Sequence, residues 1–149
     1  MNIKYMNMAL KQAQKACSIG EVPVGAVIVK DGCVISRAYN TKEKCNSSIN
    51  HAEILAIIKA SKKLKNWRLN DCEMYVTLEP CPMCASAIRQ SRIKRVYAAL
   101  KNSDDNNYDI ISKIFNSESI NPSVEFYNDV LPLKAKSLMQ RFFSDRRTM

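Results

Sequence analysis

The sequence predicts a three-layer α/β/α sandwich around a five-stranded mixed sheet. Stretches with helical periodicity alternate with short runs of β-branched and apolar residues, an Asp-Gly turn joins the first two runs, and a strand, helix, strand succession lies in the middle of the chain. A chain of 149 residues, 46% hydrophobic and 25% charged, has the size of one domain, which we expect to cover residues 1–149.

The first part of the chain is predicted to form a helix followed by a hairpin. Apolar residues recur at helical spacing from Tyr5 and stop before Gly20, which predicts the first helix. The runs 24–29 and 34–39 flank the Asp-Gly pair and predict two antiparallel strands. The stretch 41–50 is polar, has no apolar period and is predicted to be a loop.

The second part predicts parallel strands. An amphipathic helix is expected from His51, then a strand over 74–78, a short helix over 81–90 and a strand over 95–100, a crossover typical of parallel sheets. The remaining elements are predicted as a loop, a short helix, a short strand and a final helix, over 101–108, 110–115, 124–127 and 133–147. Chemistry is expected where helices begin beside strand ends, before His51 and before Cys81.

Charge and composition limit which partners and which cell compartment the sequence fits. The chain carries 23 Lys and Arg against 14 Asp and Glu, a net charge of +9. This charge fits an acidic partner such as nucleic acid, and fits equally a basic surface that only keeps the protein in solution. The apolar runs are far shorter than the roughly 20 residues that a bilayer requires, and the first 18 residues lack the apolar core of a secretory signal. We therefore expect a cytoplasmic protein without a membrane span, in which four scattered cysteines are reduced thiols: Cys17, Cys33, Cys45 and Cys72.

The only histidine and a C-x-x-C pair are the candidate metal ligands. Cys81 and Cys84 lie three positions apart at a predicted helix start, so both thiolates can face one ion, and His51 adds an imidazole. Such nitrogen and sulfur donors suit zinc, and three protein ligands leave the fourth position open, as in catalytic sites. Two alternatives stay open: a redox pair without metal, and a closed site completed by Cys33, Cys45 or Cys72.

Glu53 is the candidate for proton transfer. A carboxylate beside a zinc site can take a proton from water and pass it to a substrate, whereas most glutamates at this position only stabilise the first helical turn from the surface. Because residues two apart on a regular helix point to opposite sides, the spacing of His51 and Glu53 does not by itself aim both at one metal.

These motifs resemble a known family. His51-Ala52-Glu53 followed by Pro80-Cys81-Pro82-Met83-Cys84 resembles the H-x-E…P-C-x-x-C signature of the zinc-dependent nucleoside and nucleobase deaminases. Further segments resemble the bacterial tRNA adenosine deaminases of that family in particular: Glu21–Ala26, Asn66–Leu69, Tyr75–Pro80, Ser91–Ile93 and the Phe142-Phe143 and Arg146-Arg147 pairs.

The resemblance implies a cytidine deaminase-like fold and a hydrolytic reaction. It implies one zinc ion held by His51, Cys81 and Cys84, Glu53 as the proton shuttle, and Asn40 hydrogen-bonded to the target base. It also implies a homodimer that converts the wobble adenosine of an arginine tRNA anticodon to inosine. A base that must leave its stack to reach a buried metal is expected in a loop or a single strand. The candidate RNA contacts, each of which fits a solvated surface role equally well, are Lys42, Lys44, Lys101, Asn102, Phe142, Arg146 and Arg147.

Two segments depart from the family pattern. The family usually carries Asp-Pro-Thr-Ala before the first ligand, where this chain has Ser47–Asn50. After the 95–100 strand the family has a glycine-containing loop, whereas here the loop has no glycine and Asn102 falls at the family's aspartate. The first departure concerns the approach to the first ligand, and the second concerns backbone contacts and sugar discrimination and leaves the zinc chemistry untouched. The alternatives are a deaminase of a free base such as guanine or cytosine, and an inactive, zinc-stabilised RNA-binding module.

Overall fold

A computed structural model describes residues 1–118 and 122–147, except for the side chain of Arg147. The strands are β1 (Gly25–Lys30), β2 (Cys33–Tyr39), β3 (Cys72–Leu78), β4 (Arg95–Leu100) and β5 (Glu125–Tyr127). The helices are α1 (Ile3–Ser18), α2 (Ala52–Leu64), α3 (Pro82–Gln90), α4 (Asn107–Asn116) and α5 (Pro132–Arg147).

The strands form one mixed sheet in the order β2-β1-β3-β4-β5. Strand β1 is antiparallel to both β2 and β3, while β3, β4 and β5 are parallel. Asp31 and Gly32 turn the β1-β2 hairpin with φ values of 49° and 75°, the positive range that a tight two-residue turn needs. The predicted hairpin and parallel strands are confirmed.

Helices cover both faces of the sheet. Met74 and Val76 of β3 pack with α2, α3 and α4 in one core, and Tyr75 between them packs with α1 and α5 in the other. This alternation follows from the two-residue period of a strand. The predicted three-layer sandwich is confirmed.

Helix α1 approaches β1 closely at Gly25. A Cβ atom there would lie 2.1 Å from the carbonyl oxygen of Ala9 and 2.5 Å from the backbone nitrogen of Ala13. The Gly25 N–H donates to Oγ1 of Thr77 across the β1-β3 pair (3.1 Å). Glycine is therefore required here by the close approach of two backbones.

The elements near the C-terminus differ slightly from their predicted bounds. Helix α4 begins at Asn107, inside the predicted loop, because the buried Asn107 side chain is hydrogen-bonded to Glu79 and Pro80. Strand β5 is three residues long at the edge of the sheet, where Glu125 pairs with Arg95 at 2.5 Å. Among the described helices, none has the length and apolar character needed to cross a bilayer.

Candidate active site

Two helices start beside the end of β3, and each start carries a candidate ligand. His51 is the N-cap of α2 and Cys81 is the N-cap of α3, both with extended backbone (φ −76°, ψ 149° and φ −74°, ψ 169°). Cys84 follows one turn into α3 and is buried. Because the two N-caps lie outside the regular helices, their side chains turn toward each other across the end of the sheet.

The three donor atoms form a compact group that fits zinc. Nδ1 of His51 lies 3.7 Å from Sγ of Cys81 and 3.5 Å from Sγ of Cys84, and all three donor atoms lie within 4.8 Å of one another. A tetrahedral ion with metal–sulfur and metal–nitrogen distances of about 2.3 and 2.0 Å separates such donors by about 3.5 Å. Cys33, Cys45 and Cys72 do not join this group, so the described residues give no support to a closed four-ligand site.

Hydrogen bonds within the group decide where its protons lie. The Cys84 thiol donates to Cys81, which lowers the pKa of Cys81 to about 4, and His51 acts in the same direction. The same hydrogen bond, together with burial, raises the pKa of Cys84. The hydrogen bond to Cys81 also raises the pKa of His51. Cys81 is thus the thiolate of the group, at a helix N-terminus that favours the anion.

Glu53 is buried beside these donors. Its side chain is 4% exposed, and burial raises its pKa to about 7. Glu53 is the second residue of α2, whereas His51 precedes the helix with extended backbone, so residues two apart in sequence face the same site. The geometry that the spacing alone could not supply therefore comes from the helix boundary. The alternative of an exposed, first-turn glutamate does not hold for this residue.

A cavity of about 280 Å³ opens above this group. His51, Glu53 and Cys81 line its floor, and its walls come from the segment before β1 and from the ends of β2, β3 and β4. Asn40 and Asn102 are the amide side chains in the walls. A small concave site with few polar groups is typical of a pocket for a single small ring system.

Asn40 is anchored but keeps one donor for a ligand. Its Oδ1 accepts from the Lys42 N–H at 3.1 Å, and its Nδ2 donates to the Val22 carbonyl at 3.4 Å. A primary amide has two N–H donors, so Nδ2 carries a second hydrogen besides the one that Val22 accepts, on a residue that lines the cavity.

Of the predicted RNA contacts in the loops, two line the cavity and two lie outside its lining. Lys42 and Asn102 line it, while Lys44 is exposed in the loop before His51. That loop is held by the buried Glu21, whose carboxylate accepts from the Lys44 N–H at 2.6 Å. Lys101 is exposed and lies 3.6 Å from Asp129.

The predicted contacts on α5 differ in their exposure. Phe142 is 4% exposed and packs edge-on against Phe143, whose exposed fraction is 45%. The guanidinium of Arg146 covers the Phe142 ring, 4.9 Å from its centroid. Phe142 therefore lies on the core-facing side of the helix, and Phe143 is the ring exposed to solvent. The side chain of Arg147 lies outside the described residues.

Sequence reasoning missed the structural role of two buried carboxylates, Glu21 and Glu79. Each accepts hydrogen bonds from a loop that borders the cavity. The available signal was an acidic residue within or beside an apolar run, a position where a carboxylate is rarely buried without partners.

Known proteins are similar to this chain in sequence and architecture. A profile of the cytidine and deoxycytidylate deaminase zinc-binding region matches residues 1–100. The tRNA-specific adenosine deaminases of Streptococcus pyogenes and Bacillus subtilis are 39% and 40% identical over 143 residues, 96% of this chain and 84% and 89% of theirs.

Solved structures agree with the sequence relatives. A tRNA:A34 deaminase, studied for A-to-I editing at the wobble position, superimposes with a TM-score of 0.85 at 34% identity, over 92% of this chain and 99% of that one. A guanine deaminase from Bacillus subtilis superimposes with a TM-score of 0.67 at 32% identity, over 100% and 96%. The five-stranded mixed sheet and the His-Cys-Cys group are the features expected of this fold. The chain therefore belongs to the zinc-dependent cytidine and deoxycytidylate deaminase family.

Proposed function

We propose that this protein hydrolyses the wobble adenosine of a tRNA anticodon, in an arginine tRNA, to inosine and ammonia. The observation that carries the proposal is the placement of a buried carboxylate, Glu53, beside three zinc-type donors at the floor of a base-sized cavity. The choice of substrate is supported by the identity of 39–41% to tRNA-specific adenosine deaminases, over 95–96% of this chain and 84–99% of theirs.

In this proposal His51, Cys81 and Cys84 hold one zinc ion. The chemistry that a zinc ion supplies there is Lewis-acid activation of water near neutral pH. The donor types and their separations fit that ion, as the site geometry indicates.

Glu53 moves the protons of the reaction. It takes a proton from the attacking water and delivers it to N1 of adenine, while the oxygen becomes bonded to C6. In a second transfer, Glu53 moves the proton of the new C6 hydroxyl to the amino group. The C6–N bond then breaks, ammonia leaves, and the C6 oxygen becomes the carbonyl of inosine. Asn40 directs its free Nδ2 hydrogen to an acceptor on the base and fixes its orientation.

The substrate is a loop rather than a duplex in this proposal. A base has to leave its stack to enter a cavity whose floor is formed by buried residues, and anticodon bases are unpaired. The exposed Lys42 borders the cavity, and the exposed Lys44 and Lys101 lie on the two loops beside it. In this proposal these cations contact the phosphates next to the target base.

Deamination of free guanine is the second candidate. The observation in its favour is the guanine deaminase structure that superimposes on this whole chain at 32% identity. The lower identity and TM-score rank it behind the tRNA substrate. An inactive RNA-binding module is disfavoured by the buried carboxylate at the cavity floor.

The deciding experiment measures inosine in an arginine anticodon stem-loop RNA after incubation with the zinc-loaded protein. Free adenosine, guanine and cytosine are parallel substrates, and Glu53→Gln is the matched variant that keeps the side-chain size. We expect conversion of the wobble adenosine alone and loss of turnover in the variant with zinc retained. Conversion of guanine alone would overturn the substrate, and undiminished turnover in the variant would overturn the role of Glu53.

A homodimer acting in the cytoplasm completes the proposal. Ile58 on α2 and Met83 on α3 are 45% and 37% exposed, so the two ligand-bearing helices offer apolar surface to a second copy. Light scattering after size exclusion is expected to give twice the chain mass, and Ile58→Lys is expected to shift it toward the monomer. A monomeric wild type would overturn the dimer.

The proposed cytoplasmic location is supported by the cysteines. The exposed Cys33 and Cys45 are free thiols, as is typical of proteins in a reducing compartment.

A further inference from the structure

The buried carboxylate of Glu79 separates two neighbouring cavities. Its side chain is 2% exposed, and it follows β3 directly, two residues before Cys81. Besides the cavity above the metal ligands, Glu79 lines a second one of about 380 Å³ under the 101–109 segment. Asn102 also lines both cavities, so these two residues form the wall between them.

Three asparagines from three segments converge on this carboxylate. Nδ2 of Asn107, at the start of α4, donates to Oε2 at 2.8 Å, and Nδ2 of Asn128, after β5, donates to Oε1 at 2.5 Å. The backbone N–H of Asn102 approaches Oε2 at 3.4 Å. We call these four residues the Glu79 clamp. A charged acceptor strengthens each of these bonds relative to a neutral pair.

The clamp closes a loop that turns without glycine. Oδ1 of Asn102 accepts from the Asp104 N–H, and Oδ1 of Asp104 accepts from the Asn106 N–H, both at 3.0 Å. Such side-chain turns replace the conformational freedom that glycine would provide. Both ends of the 102–107 loop are thereby fixed to Glu79.

The same clamp reaches the start of α5. Asn128 lies four residues before α5, and the neighbouring Asp129 forms an ion pair with Lys101 at 3.6 Å. His51 and Cys81 are the N-caps of α2 and α3, and Glu53 and Cys84 lie inside these helices. The clamp instead joins Asn102 in the cavity wall to the segment before α5.

We propose that Glu79 is a positioning residue for the RNA substrate. In this role it holds Asn102 and the segment before α5 in place for the nucleotides that flank the target base, while Glu53 at the floor acts on the base itself. This inference rests on the proposed tRNA substrate. It makes the clamp a determinant of RNA affinity, separate from the chemistry carried by Glu53.

The test is Glu79→Gln, assayed for KM and kcat on the anticodon stem-loop. A glutamine keeps one acceptor oxygen, which serves either Asn128 or the Asn102 and Asn107 donors, and opposes the donors on the other side with its own N–H₂ group, so one side of the clamp opens. We expect kcat/KM to fall by about 10- to 100-fold, almost all of it in KM, with zinc content unchanged. Asp105→Asn removes an exposed carboxylate from the same loop and is expected to change kcat/KM by no more than about twofold.

Rescue separates positioning from general damage. The double variant Glu79→Gln/Asn128→Asp keeps the charge of the clamp and reverses the direction of one hydrogen bond, so the glutamine amide donates to the new carboxylate. We expect the double variant to have a KM at least about tenfold lower than that of Glu79→Gln. Asn128→Asp alone places a second carboxylate against Glu79, so its KM is expected to exceed that of Glu79→Gln.

The outcomes distinguish this inference from the proposed function. If the wild type edits the stem-loop and Glu79→Gln has the wild-type KM, or loses kcat with KM unchanged, the clamp proposal is overturned and the proposed function stands. If the wild type edits no RNA, both are overturned. Should Glu79→Gln lose zinc or unfold, Asn128→Ala removes a single donor away from the ligands, and an unchanged KM in that variant overturns the proposal.

Discussion

Replacing Gly25 by alanine tests the packing that holds the site in place. The added Cβ would lie 2.1 Å from the Ala9 oxygen and 2.5 Å from the Ala13 nitrogen, both backbone atoms of α1. Because non-bonded contacts require about 3.5 Å, α1 has to withdraw by about 1 Å or more, which opens the core beneath it. We expect a loss of about 3–5 kcal/mol in the free energy of unfolding, at the upper end for overpacking because the obstructing atoms belong to a helix backbone.

The assay is urea unfolding followed by circular dichroism, with zinc present throughout. With a typical urea dependence of about 1–3 kcal/mol per molar, the midpoint is expected to fall by roughly 2 M. Gly20→Ala is the matched control: no atom lies within 4 Å of its added Cβ, and only its φ of +80° opposes the substitution, at about 1 kcal/mol. A Gly25→Ala protein no less stable than Gly20→Ala would refute the reasoning.

Three further predictions concern the site and α5. Glu53→Gln is expected to bind one zinc ion per chain by atomic absorption and to lower kcat by about 10²- to 10⁴-fold, because proton transfer is lost while the ligands remain. Binding of zinc to the metal-free protein is expected to release protons, which calorimetry measures, and the zinc affinity is expected to fall as the pH falls. The reason is that His51 and Cys84, whose pKa values are raised, must lose protons to become ligands. Phe142→Ala is expected to lower the free energy of unfolding by about 3–5 kcal/mol, since its ring is buried, whereas Phe143→Ala is expected to weaken RNA binding in a filter assay with little change in stability.

Local patterns predicted most of the fold, because they depend on neighbours in sequence. The hairpin followed from the Asp31-Gly32 turn, and the parallel strands followed from the crossover through α3. The start of α4 at Asn107 was missed because it depends on a partner, Glu79, that is 28 residues away. Periodicity cannot register such a contact.

The candidate site was predictable in its residue types but not in its geometry. The C-x-x-C pair and the single histidine indicated zinc chemistry, yet the side on which Glu53 lies depends on where α2 begins. The position of Phe142 on the core side of α5 was open for a similar reason, since two adjacent rings on a helix give no signal for which one is buried.

The short β5 strand has a consequence for how this protein behaves when concentrated. An open sheet edge offers unpaired backbone groups to another sheet, and long, flat edges promote aggregation. Here the β5 edge ends after three residues and carries the charged Glu125, held by Arg95 from the neighbouring strand. A chain with a net charge of +9 can therefore crowd onto a polyanion such as RNA, where local concentrations are high, while this edge resists intermolecular strand pairing.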